Sequence, residues 1–381
     1  MKTLKAIANA RLMLDDGSER LGSVVYSDKI EKISFSQPRG DFESVLDAGG
    51  MILAPGFIDV HIHGFMGKDL TYCSAEEAVS VAKELARYGV TSFLPTVMTC
   101  PREYMERAFG ALDSLVEKDT GGARIIGINS EGPFISKKKK GAQDERGIIP
   151  FDPELITSTK SIKLVTFAPE NEGSDAFIDQ MLEAGVTPSV GHTACDFQTA
   201  VRAVERGAKH FTHLFNAMSP LNHRDPGAVG AALKTDAVTE LICDGYHVDS
   251  SLFDLVWRLK GDRLCLITDC IRPGGMPDGE YELSGMKSVK RGIRCQLEDG
   301  TICGSVLTMD RAVKNFYENS SASLSRAIGC ATASPAASVG YAKAGRLKIG
   351  CYSDMVLLNE DLEVIKTIVK GSTVYEKQIS H

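Results

Sequence analysis

Ala86-Arg87-Tyr88-Gly89-Val90-Thr91 reads as the end of a helix, a glycine and the start of a strand, with nothing between them. The same order returns at Leu182-Glu183-Ala184-Gly185-Val186-Thr187 and at Val204-Glu205-Arg206-Gly207-Ala208-Lys209. Glycine suits the left-handed position that stops a helix and turns the chain back, so each stretch predicts an α-to-β junction. From Ala54-Pro55-Gly56 onward, apolar runs alternate with helical segments, the pattern of βα units on a parallel sheet. Runs at 57–63, 92–96, 124–129, 163–167, 187–190, 210–214, 239–243 and 264–268 predict eight parallel strands. Eight βα units over about 250 residues point to a closed (β/α)8 TIM-like barrel. A doubly wound open sheet is the competing architecture, but no GxGxxG opens a helix after the first strand.

The two ends read differently. Short strands are predicted at 4–8, 21–26, 30–34 and 45–53, and again at 355–358, 364–369 and 372–375. Neither segment can make a stable sheet alone. They are therefore expected to pair into one small β-sandwich domain, residues 1–53 with 345–381, beside a barrel over 54–344.

The chain has 381 residues, 43% hydrophobic and 24% charged, with a net charge of −7, close to the average globular composition. No apolar run approaches the roughly 20 residues that cross a bilayer, and the N-terminus lacks the apolar core of a signal peptide. These features argue against membrane and secreted classes. The acidic balance without a basic stripe argues against nucleic acid as partner. Ten scattered cysteines with no CxxC pair fit a reducing, cytoplasmic compartment. Lys137 to Lys140, the one charge run, reads as a solvated loop.

Four of the eight histidines fall at predicted strand ends, the edge where barrel enzymes keep their active sites. His61 and His63 sit at i and i+2, so both side chains face one way. Alone, such a pair is either a metal platform or a chance pair of polar residues. Asp59 shares their parity but lies deeper, as a hydrogen-bonding partner inside the barrel. Glu131 follows the apolar run 125–128, where an unpaired charge is costly, so it is a metal ligand or half of an ion pair. His192 and His213 place two more imidazoles on the same edge. Together His61, His63, Glu131, His192 and His213 form an N and O set suited to zinc, iron or a similar divalent ion. Asp269, closing the last strand, is positioned either for acid/base work beside that ion or as a further ligand.

In order along the chain, Pro55-Gly56-Phe57-Ile58-Asp59-Val60-His61-Ile62-His63-Gly64, Glu131-Gly132-Pro133-Phe134, Gly191-His192-Thr193, His213-Leu214-Phe215-Asn216-Ala217-Met218, Asp244-Gly245-Tyr246-His247-Val248 and Thr268-Asp269 resemble the N-acetylglucosamine-6-phosphate deacetylase family of the amidohydrolase superfamily. The resemblance implies a metal-dependent barrel with a small β-sandwich from both termini, and a homodimer. It implies that Glu131, His192 and His213 hold a main metal and that His61 and His63 complete a second site, giving one or two ions per subunit. The metal would activate water for attack on the acetamide carbonyl, with Asp269 taking the proton and passing it to the sugar amine. Arg224, His247 and the backbone amides of Asn216 and Ala217 would read the phosphate, His247 from the partner subunit, while Gln143, Ala142 and Met309 would complete the substrate site. Where many relatives carry His, this chain has Gln143, which can donate a hydrogen bond but cannot be protonated. Cys270 beside Asp269 reads as a packed thiol or a site of oxidation.

The implied reaction releases acetate and glucosamine 6-phosphate in amino-sugar catabolism and cell-wall recycling, with the galactosamine epimer as the alternative substrate. A deaminase or cyclic amidase would leave the phosphate-reading residues idle. A catalytically dead scaffold or sensor would be expected to have lost ligands, and none is missing. The loop from Pro133 to Pro150 is long enough to close as a lid.

Overall fold

A computed structural model describes residues 3–283 and 285–378. Its centre is a parallel barrel of β1 (Phe57–Ile62), β2 (Val90–Met98), β3 (Ile128–Phe134), β4 (Ile162–Phe167), β5 (Thr187–Val190), β6 (His210–Phe211), β7 (Val238–Ile242) and β8 (Leu264–Ile267). Each strand pairs in parallel with the next. The ring closes from β8 back to β1 through a parallel bridge between Ile62 and Cys270. There the Asp269 N–H donates to His61 O at 2.9 Å and the His63 N–H to Cys270 O at 2.8 Å. Asp59 bolts the same seam from inside, its Oδ2 accepting from Thr268 Oγ1 at 2.6 Å. Complete burial pushes the Asp59 carboxyl up to about 7, against the opposing hydrogen bonds from Thr268 and the His61 amide.

The junction glycines behave as the sequence requires, with φ of 78° at Gly89, 72° at Gly185 and 126° at Gly207. Several helices outside the ring bury one stripe, whereas Gly227–Lys234 is buried on nearly every side. Ala75–Leu85 starts in a Ser74/Glu77 capping box and turns Ala78, Val81, Ala82 and Leu85 inward, the i, i+3, i+4, i+7 face of an amphipathic helix. The inside of the ring is polar as well as apolar: Ser189 Oγ lies 2.6 Å from Thr212 Oγ1 and 3.0 Å from His210 Nδ1.

Both termini enter one mixed sheet in the order 372–376, 364–369, 355–358, 52–55, 5–13, 19–26 and 30–34, with 44–47 pairing beside 5–13. Ile7, Leu12, Val24, Ile30, Leu53, Met355, Leu357 and Ile368 form its own apolar cluster. The single strand expected at 45–53 is two, because Gly49 and Gly50 turn the chain with φ of 57° and 89°. The strand at 52–55 runs into β1 through Gly56, where a Cβ would stand 2.1 Å from Thr91 Cγ2. Gly56→Ala is therefore expected to cost about 1–3 kcal/mol by overpacking; an unchanged urea midpoint would show that β1 and β2 have room there.

Three other differences from the sequence reading matter. β3 runs on to Phe134, so Glu131 lies within a strand, paired in register with Met98 of β2. β6 stops at Phe211 because His213, Phe215 and Ala217 all take positive φ, incompatible with an extended strand. Between β8 and the helix Met309–Glu318 stands an antiparallel sheet of Gly279–Leu283, Met286–Arg291 and Arg294–Leu297, which the sequence reading did not anticipate.

Candidate metal centre and substrate cavity

The C-terminal ends of the strands converge on Glu131. Its Oε1 lies 2.9 Å from His213 Nε2, 3.1 Å from His192 Nε2 and 3.3 Å from His61 Nε2, and its Oε2 lies 3.2 Å from His63 Nε2. His61 Nε2 and His63 Nε2 are 3.1 Å apart, as are His192 Nε2 and His213 Nε2. Two clusters able to hold a metal result, His61 with His63 and Glu131, and Glu131 with His192 and His213. All five residues are buried.

The outer sides of the rings decide what this arrangement wants. His61 Nδ1 faces Glu240 Oε2 at 2.9 Å, His63 Nδ1 faces Thr96 O at 3.2 Å, and His192 Nδ1 faces Lys139 O at 2.7 Å. Each partner accepts, so each Nδ1 carries the proton and each Nε2 turns a lone pair toward Glu131. Lone pairs and a carboxylate aimed at one point repel each other unless a cation sits among them, so the residues fit a divalent metal. With no ion among these groups, the same negative field draws protons to the histidines instead. Burial alone would push His63 down, yet the Glu131 charge and the Asp269 hydrogen bond raise it to about 9. Burial would raise Glu131, but His63, His192 and His61 hold it well below the usual carboxylate range.

Asp269 completes the edge. It sits at φ 50°, with its Oδ1 3.3 Å from His63 Nε2 and 3.5 Å from His61 Nε2. Its carboxyl is held low by His63 and His61 against the opposing effect of burial. His192, His213, Phe215, Ala217 and Asp269 all adopt positive φ. Such conformations cost about 1–3 kcal/mol each and collect where geometry serves a site. Cys270 is fully buried, burial pushes its thiol well up, and its Sγ–H faces Ile271 O at 3.6 Å, so the packed reading fits it.

A cavity of about 310 Å³ opens above the cluster, bordered by Ala142, Gln143, Asn216, Ala217, His247 and Asp269 among others. The Nδ1–H of His247 donates to Asp244 Oδ2 at 2.7 Å, and its buried Nε2 has no partner among the described residues. It borders the cavity of its own chain. Gln143 turns inward: its Oε1 accepts from the Thr99 N–H at 2.7 Å and its Nε2 donates to Glu131. Arg224 is exposed and Met309 is buried at a helix start, and neither borders the cavity. Lys138 and Lys139 do border it, although the charge run read as a solvated loop. That loop is pinned to the barrel by the Ser136 N–H donating to His192 O at 2.9 Å.

Glu240, in the middle of β7 and fully buried, escaped the sequence reading. A carboxylate inside Val238-Thr239-Glu240-Leu241-Ile242 is the signal that could have found it, since such a charge needs a partner. No helix among the described residues is long and apolar enough to cross a membrane.

The sequence profile of the amidohydrolase family matches residues 52–374. A protein named N-acetylglucosamine-6-phosphate deacetylase from Bacillus subtilis (strain 168) is 35% identical over 359 residues, 91% of each chain. One of the same name from Lysinibacillus sphaericus is 36% identical over 334 residues, 86% of each chain. The crystal structure of N-acetylglucosamine-6-phosphate deacetylase from Pasteurella multocida superposes with a TM-score of 0.91 at 30% identity, over 97% of this chain and 99% of that one. A Mycobacterium smegmatis deacetylase mutant in complex with N-acetyl-D-glucosamine-6-phosphate superposes with a TM-score of 0.90 at 28% identity, over 98% of this chain and 99% of that one. The histidine and carboxylate cluster at the end of a closed barrel thus stands in a chain matched over nearly its whole length, and this protein belongs to the amidohydrolase family.

Proposed function

We propose that this protein is a metal-dependent hydrolase that removes the acetyl group from N-acetyl-D-glucosamine 6-phosphate, giving D-glucosamine 6-phosphate and acetate. The observation that carries the reading is the convergence of His61, His63, His192 and His213 on Glu131, with Asp269 Oδ1 3.3 Å from His63 Nε2, in a chain whose full-length relatives bear that name. His61, His63, Glu131, His192 and His213 would hold a divalent ion, which when bound would supply Lewis acidity toward the acetamide carbonyl and the attacking water. Asp269 accepts the water's proton and hands it to the nitrogen as the C–N bond breaks. The water oxygen leaves with the acetyl carbon as acetate. The nitrogen and oxygen donors suit zinc or iron, in one or two positions.

Phosphate recognition falls to the far side of the cavity. His247 Nε2 is buried with no partner among the described residues, the Asn216 N–H donates to His213 O at 3.0 Å, and Asn216, Ala217, Lys138 and Lys139 border the same cavity. These cations offset the −7 charge of the chain at the point where an anion must enter. Gln143 holds Glu131 as well as bordering the substrate. Arg224 lies outside the cavity of its own chain, so a role for it at the phosphate requires a second subunit, and a homodimer is part of this reading. Ten free cysteines fit a cytoplasmic setting.

Turnover of N-acetylglucosamine 6-phosphate, its galactosamine epimer and unphosphorylated N-acetylglucosamine tests the substrate. Charge-assisted hydrogen bonds are worth about 1.5–3 kcal/mol each, so two lost phosphate contacts are expected to lower kcat/KM by about 10² or more. Equal efficiency without the phosphate would overturn the reading, and a preference for the galacto compound would replace its substrate.

A further inference from the structure

Glu240 touches neither the cavity nor water, and beyond accepting from His61 Nδ1 it has no part in the chemistry above. Its Oε2 lies 2.9 Å from His61 Nδ1 and accepts the backbone N–H of His213 at 3.0 Å. Its own carbonyl accepts the Leu214 N–H at 2.9 Å. One oxygen therefore reaches a side chain of the first ligand cluster and the backbone of the second. The backbone it grips is the strained turn at His213, with φ of 29°. The other oxygen, Oε1, is buried with no hydrogen-bond partner among the described residues; the His210 Nδ1 that faces it at 3.7 Å already bonds Ser189 Oγ.

We propose that Glu240 is a positioning residue that joins the two halves of the metal centre. By accepting the Nδ1–H of His61 it fixes the tautomer and turns the Nε2 lone pair toward Glu131. By gripping the His213 amide it holds the kink that aims the second imidazole. A buried carboxylate is costly when uncompensated, and here the compensation comes from those two donors and from the cation they help to hold. The inference rests on the metal-dependent reading above.

The test uses the full chain with Glu240→Gln and Glu240→Leu, loaded with cobalt. The readouts are bound cobalt per chain, its affinity in competition with a graded chelator, and its visible spectrum. Loss of an outer partner of a metal-binding histidine costs roughly 10–100-fold in metal affinity. Glu240→Leu is expected to lose affinity by that factor and to change the cobalt spectrum. Glu240→Gln, whose carbonyl still accepts from His61 Nδ1 and the His213 amide, is expected to recover most of both. Wild-type affinity and spectrum in Glu240→Leu would overturn the proposal, as would equal losses in the two variants. If Glu240→Leu fails to fold, Glu240→Gln against the wild type decides: near-native cobalt binding supports the proposal and a loss as deep as that of Glu131→Gln overturns it. Wild-type protein that binds metal but releases acetate without needing it would sink the functional reading instead, which separates the two failures.

Discussion

Asp269→Asn is expected to lower kcat by about 10²–10⁴, the usual contribution of a positioned general acid/base, while metal content and KM stay near wild type. The substitution keeps the size of the side chain and one acceptor oxygen. It removes the negative charge and, with it, the ability to take a proton. The backbone of residue 269 is held independently, through its N–H to His61 O at 2.9 Å and its carbonyl to the Ser305 N–H at 2.8 Å. The side chain therefore remains aimed at His63 Nε2, 3.3 Å away in the native chain. Single-turnover acetate release with metal analysis of the same sample is the check. Native kcat would remove Asp269 from the proton path, and a parallel loss of metal would make it a ligand instead.

A larger loss is expected from Glu131→Gln. Among the described residues Glu131 alone is common to both ligand clusters, and its carboxylate lies within 3.3 Å of all four histidine Nε2 atoms. Its replacement leaves those lone pairs facing a neutral amide, so both clusters weaken together. Metal affinity is expected to fall by more than the roughly 10–100-fold that outer partners are worth, taking acetate release with it. His61→Ala is the contrasting variant. It breaks one cluster and leaves Glu131, His192 and His213 intact, so retained metal and residual activity are expected there. Equal damage from the two substitutions would contradict a shared central carboxylate.

The barrel was legible because its signals are local. A glycine stop at Gly89, Gly185 or Gly207 needs only a few neighbours to be recognised, and each takes positive φ. The ligand histidines were legible because they fall at the ends of apolar runs. What escaped depends on distant contacts. Glu240 looks like one polar residue in a strand until His61, 179 positions away, is seen 2.9 Å from it. Lys138 and Lys139 read as solvated charge because nothing local says that the loop folds back over the cavity. Gln143 reads as a substrate contact because its bond to Glu131 crosses from loop to strand. The antiparallel sheet at 279–297 has polar alternation on exposed strands, a weak pattern beside the buried strands that precede it. Asp59 was read correctly as an internal partner, since parity alone places it below the two histidines, and it bonds Thr268 across the closing seam.

The measurement that tests the account most directly is acetate release from N-acetylglucosamine 6-phosphate by protein stripped with chelator and then reloaded separately with zinc, iron, manganese or cobalt. The account predicts negligible release from the stripped protein, recovery on reloading, and one glucosamine 6-phosphate formed for each acetate. Undiminished release from fully stripped protein, or none with any ion at confirmed loading, would contradict it.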